Sequence, residues 1–207
     1  MESSLRARIR AGDPGAFAEL FDQHARSVYN HAFRLTADWA TAEDVMAATY
    51  LQAWRSRERV NDEGGSLRPW LLGIATNETR NHTRSNRRYR RAAAALLAVD
   101  ATLPDHADEV AGRLDDGDRI AAALDALSRL RRPEREVLTL CLWEGLDYES
   151  AARALGVPVG TVRSRLSRAR ARLRSLVDAA QRAPRRPAGA ARAVRDSITS
   201  LAREGNR

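Results

Sequence analysis

Apolar positions recur along this chain at steps of three and four, the period of one helix face, and no stretch alternates as a half-buried strand would. Asp13-Pro14 pairs a capping side chain with proline at the first helical position. Phe17, Leu20, Phe21, His24, Val28 and Leu35 then form one stripe. His24 on that stripe reads as a packed histidine, since no second His, Cys or acid lies at metal-ligand spacing. Thr41 with Asp44 has the form of a capping box and predicts a helix carrying Met46, Tyr50, Ala53 and Trp54 inward. A polar break, Asn61 to Ser66, separates it from the next element. Pro69 opens another helix with Trp70, Leu71, Ile74 and Ala75, running on through Asn77 and Asn81. Farther on, Ile120, Ala123, Leu124, Leu127 and Leu130 make a stripe, and Pro133 restarts a helix through Val137, Leu138, Cys141 and Leu142 to Gly145. The pattern predicts an all-α protein of two small helical domains.

Residues 145–174 predict two helices joined by a tight turn. Asp147 can accept hydrogen bonds from the free N–H groups of the first helix. Ala151, Ala152 and Leu155 give that helix a small apolar face, and Gly156 suits a left-handed stop. Pro158 fits the start of the second helix. There Val162 and Leu166 point inward, leaving Arg163, Ser164, Arg165 and Arg168 outward. A helix presented this way fits the DNA major groove, where arginine donates a bidentate pair to guanine. A solvated basic helix is the plainer reading, but the short alanines, the glycine turn and the unopposed arginines favour DNA.

Composition sharpens this picture. The 207 residues are 43% hydrophobic but only 5% aromatic, which suits alanine- and leucine-packed bundles rather than a β-sandwich. The formal charge is +8, and all 35 basic residues are arginine, whose planar fork matches phosphate and guanine. The single cysteine, Cys141, sits on an apolar stripe, excludes an internal disulfide framework and fits a reducing compartment. No apolar run has the length of a membrane span and no signal-peptide core is visible, so a cytoplasmic protein with no membrane partner is expected.

Charge is also segregated. Six arginines and no acid occupy residues 80–91, and six arginines and no acid occupy 163–174. Between them, residues 100–118 carry seven acids against Arg113 alone. An acidic segment cannot lie on nucleic acid, so it reads as a flexible linker between two basic modules. The expected division is 1–91, a linker 92–117, a second module 118–177, and an Arg-rich extension 178–207. In that extension Val194, Ile198 and Leu201 have helical spacing, while seven arginines against three acids suit partial disorder with a short terminal helix.

Three stretches resemble the bacterial RNA polymerase sigma factors of the small extracytoplasmic-function (ECF) group. Ala42-Glu43-Asp44-Val45 through Trp54-Arg55 is similar to the family's polymerase-clamp-binding helix. Leu67-Arg68-Pro69-Trp70 to Arg91 resembles its promoter-melting, minus-10-reading helix. Pro133 through Arg174 resembles its minus-35-reading domain, with Val157 to Leu166 especially close. The resemblance spans about residues 14 to 176 and implies a role for each stretch. Asp44, Val45, Tyr50 and Trp54 would face core polymerase, with Tyr50 and Trp54 mostly core and Asp44 outward. Asn61, Trp70, Asn77, Arg80, Asn81, Arg84, Arg87 and Arg88 would serve the minus-10 element. Asn77 and Asn81 would offer amides to a base edge, the arginines would neutralise phosphates, and the Asn61–Ser66 loop would help hold an extruded base. Thr161, Arg163, Ser164, Arg165 and Arg168 would read the minus-35 element. Partners implied are core RNA polymerase (β′ clamp helices and β flap), promoter DNA and an anti-sigma factor. Neither a cofactor, a metal nor a small-molecule ligand is expected. The chain departs from the family at Ala47 and Ala48, where Gln and an acid are usual, and at Ser167, where phenylalanine is usual.

Two other classes compete with this reading. A stand-alone helix-turn-helix regulator leaves Asn77–Arg91 without a role. A recombinase needs a catalytic Ser, Tyr or carboxylate cluster on a suitable domain, and the sequence offers none, so no enzymatic activity is expected.

Overall fold

The computed structural model describes residues 2–60, 65–96 and 124–182. Every regular element among the described residues is helical, in line with the expected class. Residues Met1–Leu173 form one compact unit, and residues 183–207, with the short terminal helix expected around Val194, Ile198 and Leu201, lie outside the described residues.

The first half is built from α1 (Glu2–Arg10), α2 (Pro14–Thr36), α3 (Trp39–Arg55), a 3-10 turn (Arg57–Arg59) and the long α4 (Arg68–Leu96). Asp13 caps α2 as expected, its carboxylate accepting from the Gly15 N–H at 2.8 Å. The helix stops at Ala37, whose φ of 56° lies in the left-handed region and whose N–H donates to the Phe33 carbonyl at 2.7 Å. The expected Thr41–Asp44 capping box does not form. Asp38 caps α3 instead, its Oδ1 accepting from the Thr41 N–H at 2.6 Å, so the helix starts three residues earlier. Ile9, Leu20, Val28, Ala32, Val45, Ala53, Leu71 and Ala75 make the core of this half.

α4 continues five residues past Arg91, where the first module was expected to end. At 29 residues it is about 43 Å long. Most of the expected linker, and all of 97–123, lies outside the described residues.

The second half contains a helical turn at 124–128, then α5 (Arg132–Leu138), α6 (Tyr148–Leu155) and α7 (Val159–Arg182). The Glu134 carboxylate accepts from the Arg131 N–H at 3.3 Å, fixing the start of α5. α5 does not run on as a regular helix. Thr139–Trp143 is a π-turn, closed by the Glu144 N–H donating to the Thr139 carbonyl at 3.1 Å. The extra residue shifts the inward stripe, so Leu142, expected in the core, is exposed and Glu144 is buried. Val137, Leu138, Leu140, Ala151, Leu155, Val162, Leu166 and Ala169 make the second core.

The two halves pack on each other rather than standing apart. Leu71 on α4 belongs to the first core, and its neighbour Leu72 to the second. Beside them, Gly73 meets α6 backbone to backbone: a Cβ there would lie 2.7 Å from the Ala154 carbonyl oxygen.

Candidate nucleic-acid interface

The α6–α7 pair is held by local chemistry. Asp147 caps α6, with Oδ1 accepting from the Ser150 N–H at 2.6 Å. Its carboxyl lies below the usual range because these backbone and hydroxyl hydrogen bonds favour the charged form. At the other end Gly156 sits at φ 65°, and the Val157 N–H reaches back to the Ala152 carbonyl at 3.1 Å, a Schellman closure. The Pro158 carbonyl accepts from Thr161 at 2.9 Å and so caps α7 from the position just before it. Val162 and Leu166 are buried, as their spacing predicts. Arg163, Ser164, Ser167 and Arg168 are exposed, while Thr161 and Arg165 are half-buried. Arg168 is steadied by its Nε donating to the Ser164 carbonyl at 3.2 Å, leaving most of the guanidinium outward.

A second basic surface runs along α4. Asn77, Asn81, Arg84, Arg87 and Arg88 are all exposed, and Tyr89 among them is 76% exposed. Helical rotation places Asn77, Asn81, Arg84 and Arg88 within about 60° of one face, over about 16 Å. Trp70 is half-buried against the first core. Arg80 does not stand free beside them. Its Nε and Nη2 donate to the two carboxylate oxygens of Glu136 on α5, at 2.9 and 2.6 Å, while its Nη1 donates to the Asn77 Oδ1 at 3.0 Å. Asn61 lies outside the described residues.

A third surface, on α2 and α3, is apolar. Phe17 meets Trp54 edge-on at 4.7 Å and Phe21 meets Tyr50 at 4.9 Å. Leu51, three residues before Trp54 on α3, is 52% exposed, and Phe21 and Trp54 are exposed as well. The Tyr50 hydroxyl is buried, and burial pushes its pKa up. Asp44 faces outward with 73% of its side chain exposed. Val45 does not: it is fully in the core, because position 45 falls on the inner stripe with Ala42 and Thr49. Phe21 and Leu51 were not expected here; the signal was an apolar residue too many for one stripe on each helix.

The sequence matches the family model "Sigma-70 region 2" over residues 20–89 and "Sigma-70, region 4" over residues 120–173. The RNA polymerase sigma factor NccH of Alcaligenes xylosoxydans xylosoxydans is 30% identical over 87% of this chain and 97% of its own length. The chain belongs to the sigma-70 family, in its ECF group. The ECF sigma factor SigL of Mycobacterium tuberculosis is 34% identical, over 75% of this chain and 85% of that protein. Among solved structures, CnrH in complex with the cytosolic domain of CnrY superposes on this sigma factor with a TM-score of 0.63. That pair shares 26% identity over 86% of this chain and 97% of CnrH. RpoE in complex with the anti-sigma factor NepR, from Bartonella quintana, gives a TM-score of 0.61 at 28% identity, over 78% of this chain and 96% of RpoE. The region 2 match contains the α3 and α4 surfaces, and the region 4 match contains the α6–α7 pair.

Proposed function

We propose that this sigma factor divides promoter recognition between its two basic helices, with α7 reading the minus-35 duplex and α4 holding the minus-10 element. A sigma factor binds core RNA polymerase and directs it to promoters to begin transcription, and both family regions needed for that lie in order in this chain. The observation that carries the division of labour is the pairing of two different surfaces in one molecule. The α6–α7 unit presents exposed arginines on a capped helix, suited to base edges in a major groove. The α4 stripe mixes amides with arginines, and Tyr89 is exposed on the same helix, a composition suited to unpaired bases and a phosphate backbone. The third surface, with exposed Phe21, Leu51 and Trp54 beside Asp44, fits a protein partner, and we assign it to the polymerase clamp. Region 4 docks on the β flap in this reading.

Catalysis of the polymerisation stays with core polymerase, and the chain itself works without catalytic activity, in the cytoplasm. Among the described residues no helix is long and apolar enough to cross a membrane. An anti-sigma factor belongs among the partners, since RpoE was solved bound to one. The modules run 1–91 and 118–177 in function, whatever the length of α4. A stand-alone helix-turn-helix regulator is disfavoured because residues 20–89 would then serve nothing. The test is co-elution with core polymerase in size-exclusion chromatography. A stoichiometric complex is expected, and a protein that elutes apart from core at micromolar concentration sinks the reading.

A further inference from the structure

The region 2 match begins at residue 20, so α1 and the turn after it lie ahead of it. α1 is nonetheless built into the first half. Ile9 is fully buried in the core, and Leu5 packs against it. Arg8 ties the helix to the start of α2, its Nε donating to Asp13 at 2.6 Å and its Nη1 to Glu19 at 2.8 Å. Arg6 lies three residues before Ile9, on the inward side, and is only 7% exposed. A guanidinium buried there costs more than an apolar side chain unless its charge is used. Its Nη2 donates to the carbonyl of Gly65, 59 positions away.

Gly65 stands at the entry of α4. Its φ of 95° favours glycine, and a Cβ built there would meet nothing within 4 Å. Side-chain packing therefore does not set the direction of the chain at this point, and a cleft lined by Arg6, Gln23, His24 and Ser66 lies beside it. One residue on, the Ser66 Oγ accepts from the Arg68 N–H at 3.1 Å and caps α4. Leu67 enters the core, and Trp70 stands in the first turn. The far side of this turn is anchored by Arg68. Its Nε donates to the Ser27 Oγ at 2.9 Å and its Nη2 to Glu144, whose carboxylate also accepts from Ser27 and Arg34, each at 2.7 Å. Arg6 supplies the anchor on the near side. We infer that Arg6 is a positioning residue for the minus-10 element: from outside the region that matches the family it fixes the entry of α4, and so the pose in which the first turn, with Trp70, meets the promoter strand. The inference rests on α4 holding that element, as proposed above.

The test uses the full-length protein assembled with core polymerase. Run-off mapping with wild type on fragmented genomic DNA supplies one strong start, and linear templates then carry single-base changes in either of its two upstream elements. Arg6→Met keeps a buried stem and removes the donor, while the Gly65 carbonyl, on an exposed residue, turns to water. This variant is expected to lower the preference for the wild-type nearer element over its single-base variants by about 2- to 10-fold, the worth of one hydrogen bond, and to leave the preference at the farther element unchanged. Arg6→Lys, which restores a donor, recovers most of the loss. Gly65→Ala, strained at its φ, lowers the same preference and covers the case where Arg6→Met fails to fold. Output that falls equally on every template, with both preferences intact, marks a purely structural role and overturns the inference. So does a loss that Arg6→Lys does not recover. Wild-type transcription separates the two claims. If it starts but the folded variants keep the nearer-element preference, only the positioning by Arg6 is wrong; if no transcription starts, the functional reading has failed.

Discussion

Gly73→Ala sets two effects of opposite sign against each other. In a helix interior alanine is favoured over glycine by about 1 kcal/mol, so in isolation α4 would gain. The new Cβ, however, would stand 2.7 Å from the Ala154 carbonyl oxygen and 3.1 Å from its Cα. Both groups in conflict are backbone, so no rotamer change relieves them. Overpacking of this kind costs about 1–3 kcal/mol, which outweighs the propensity gain across most of its range. The expected net loss is up to about 2 kcal/mol, or about 4–8 °C in Tm for a unit of this size. The alternative relief is to move α6 off α4, which also breaks the contacts of Glu136 and Glu144. Urea unfolding followed by circular dichroism, together with small-angle X-ray scattering, reads both consequences. A lower midpoint with a larger radius of gyration is expected. A midpoint raised by the propensity gain, with an unchanged radius, refutes the packing of α4 on α6.

The same structure dictates four other outcomes. His31 is fully buried, with its Nε2 2.9 Å from the Thr76 Oγ1, and burial, with Arg34 and Arg68 nearby, holds its pKa down at about 3. The unfolded chain therefore binds the extra proton between about pH 6.5 and 3, so stability is complete above that window and falls through it; going from pH 7 to 5 loses about 2 kcal/mol from this group, and His31→Gln flattens that part of a stability–pH curve. Arg163→Ala or Arg168→Ala lowers discrimination between specific and scrambled minus-35 duplexes by about 1–3 kcal/mol, and equal loss on both sequences argues for phosphate contact alone. Asn77→Ala impairs opening of a linear promoter in permanganate footprinting but not of a pre-melted one, while Arg87 and Arg88 substitutions weaken binding in a salt-dependent, sequence-tolerant way. Leu51→Asp lowers affinity for core polymerase without lowering the melting temperature, because Leu51 is more than half exposed.

Local chemistry was legible in the sequence and long-range chemistry was not. Asp13-Pro14, Asp147, Gly156 and the Val162/Leu166 pair act on their nearest neighbours, and each does in the structure what its residue type dictates. Where two local signals competed, the pattern was ambiguous. Asp38 and Thr41 lie three residues apart, and the stronger acceptor took the cap. The π-turn at Thr139–Trp143 breaks the 3.6-residue period, so a stripe extrapolated through it put Leu142 inside and gave no notice of Glu144. Glu136 shares a helix with Arg132 and Arg135, and nothing local sets it apart. Its partner, Arg80, is 56 positions away, and the partners of Glu144 are 76, 110 and 117 away. Arg80 therefore read as one more member of a basic cluster. For the candidate DNA and polymerase surfaces, residue types and spacing gave the helices, while exposure sorted Asp44 from Val45 and added Phe21, Leu51 and Tyr89.

Run-off transcription with purified core polymerase on fragmented genomic DNA, read by sequencing the 5′ ends, tests the central claim most directly. The account predicts start sites that appear only when this protein is added and that share two upstream elements at fixed spacing, the farther one lost in the Arg163→Ala and Arg168→Ala double variant. If added protein leaves the starts made by core polymerase unchanged, while binding a duplex operator by itself, the protein is a helix-turn-helix regulator and the account is contradicted.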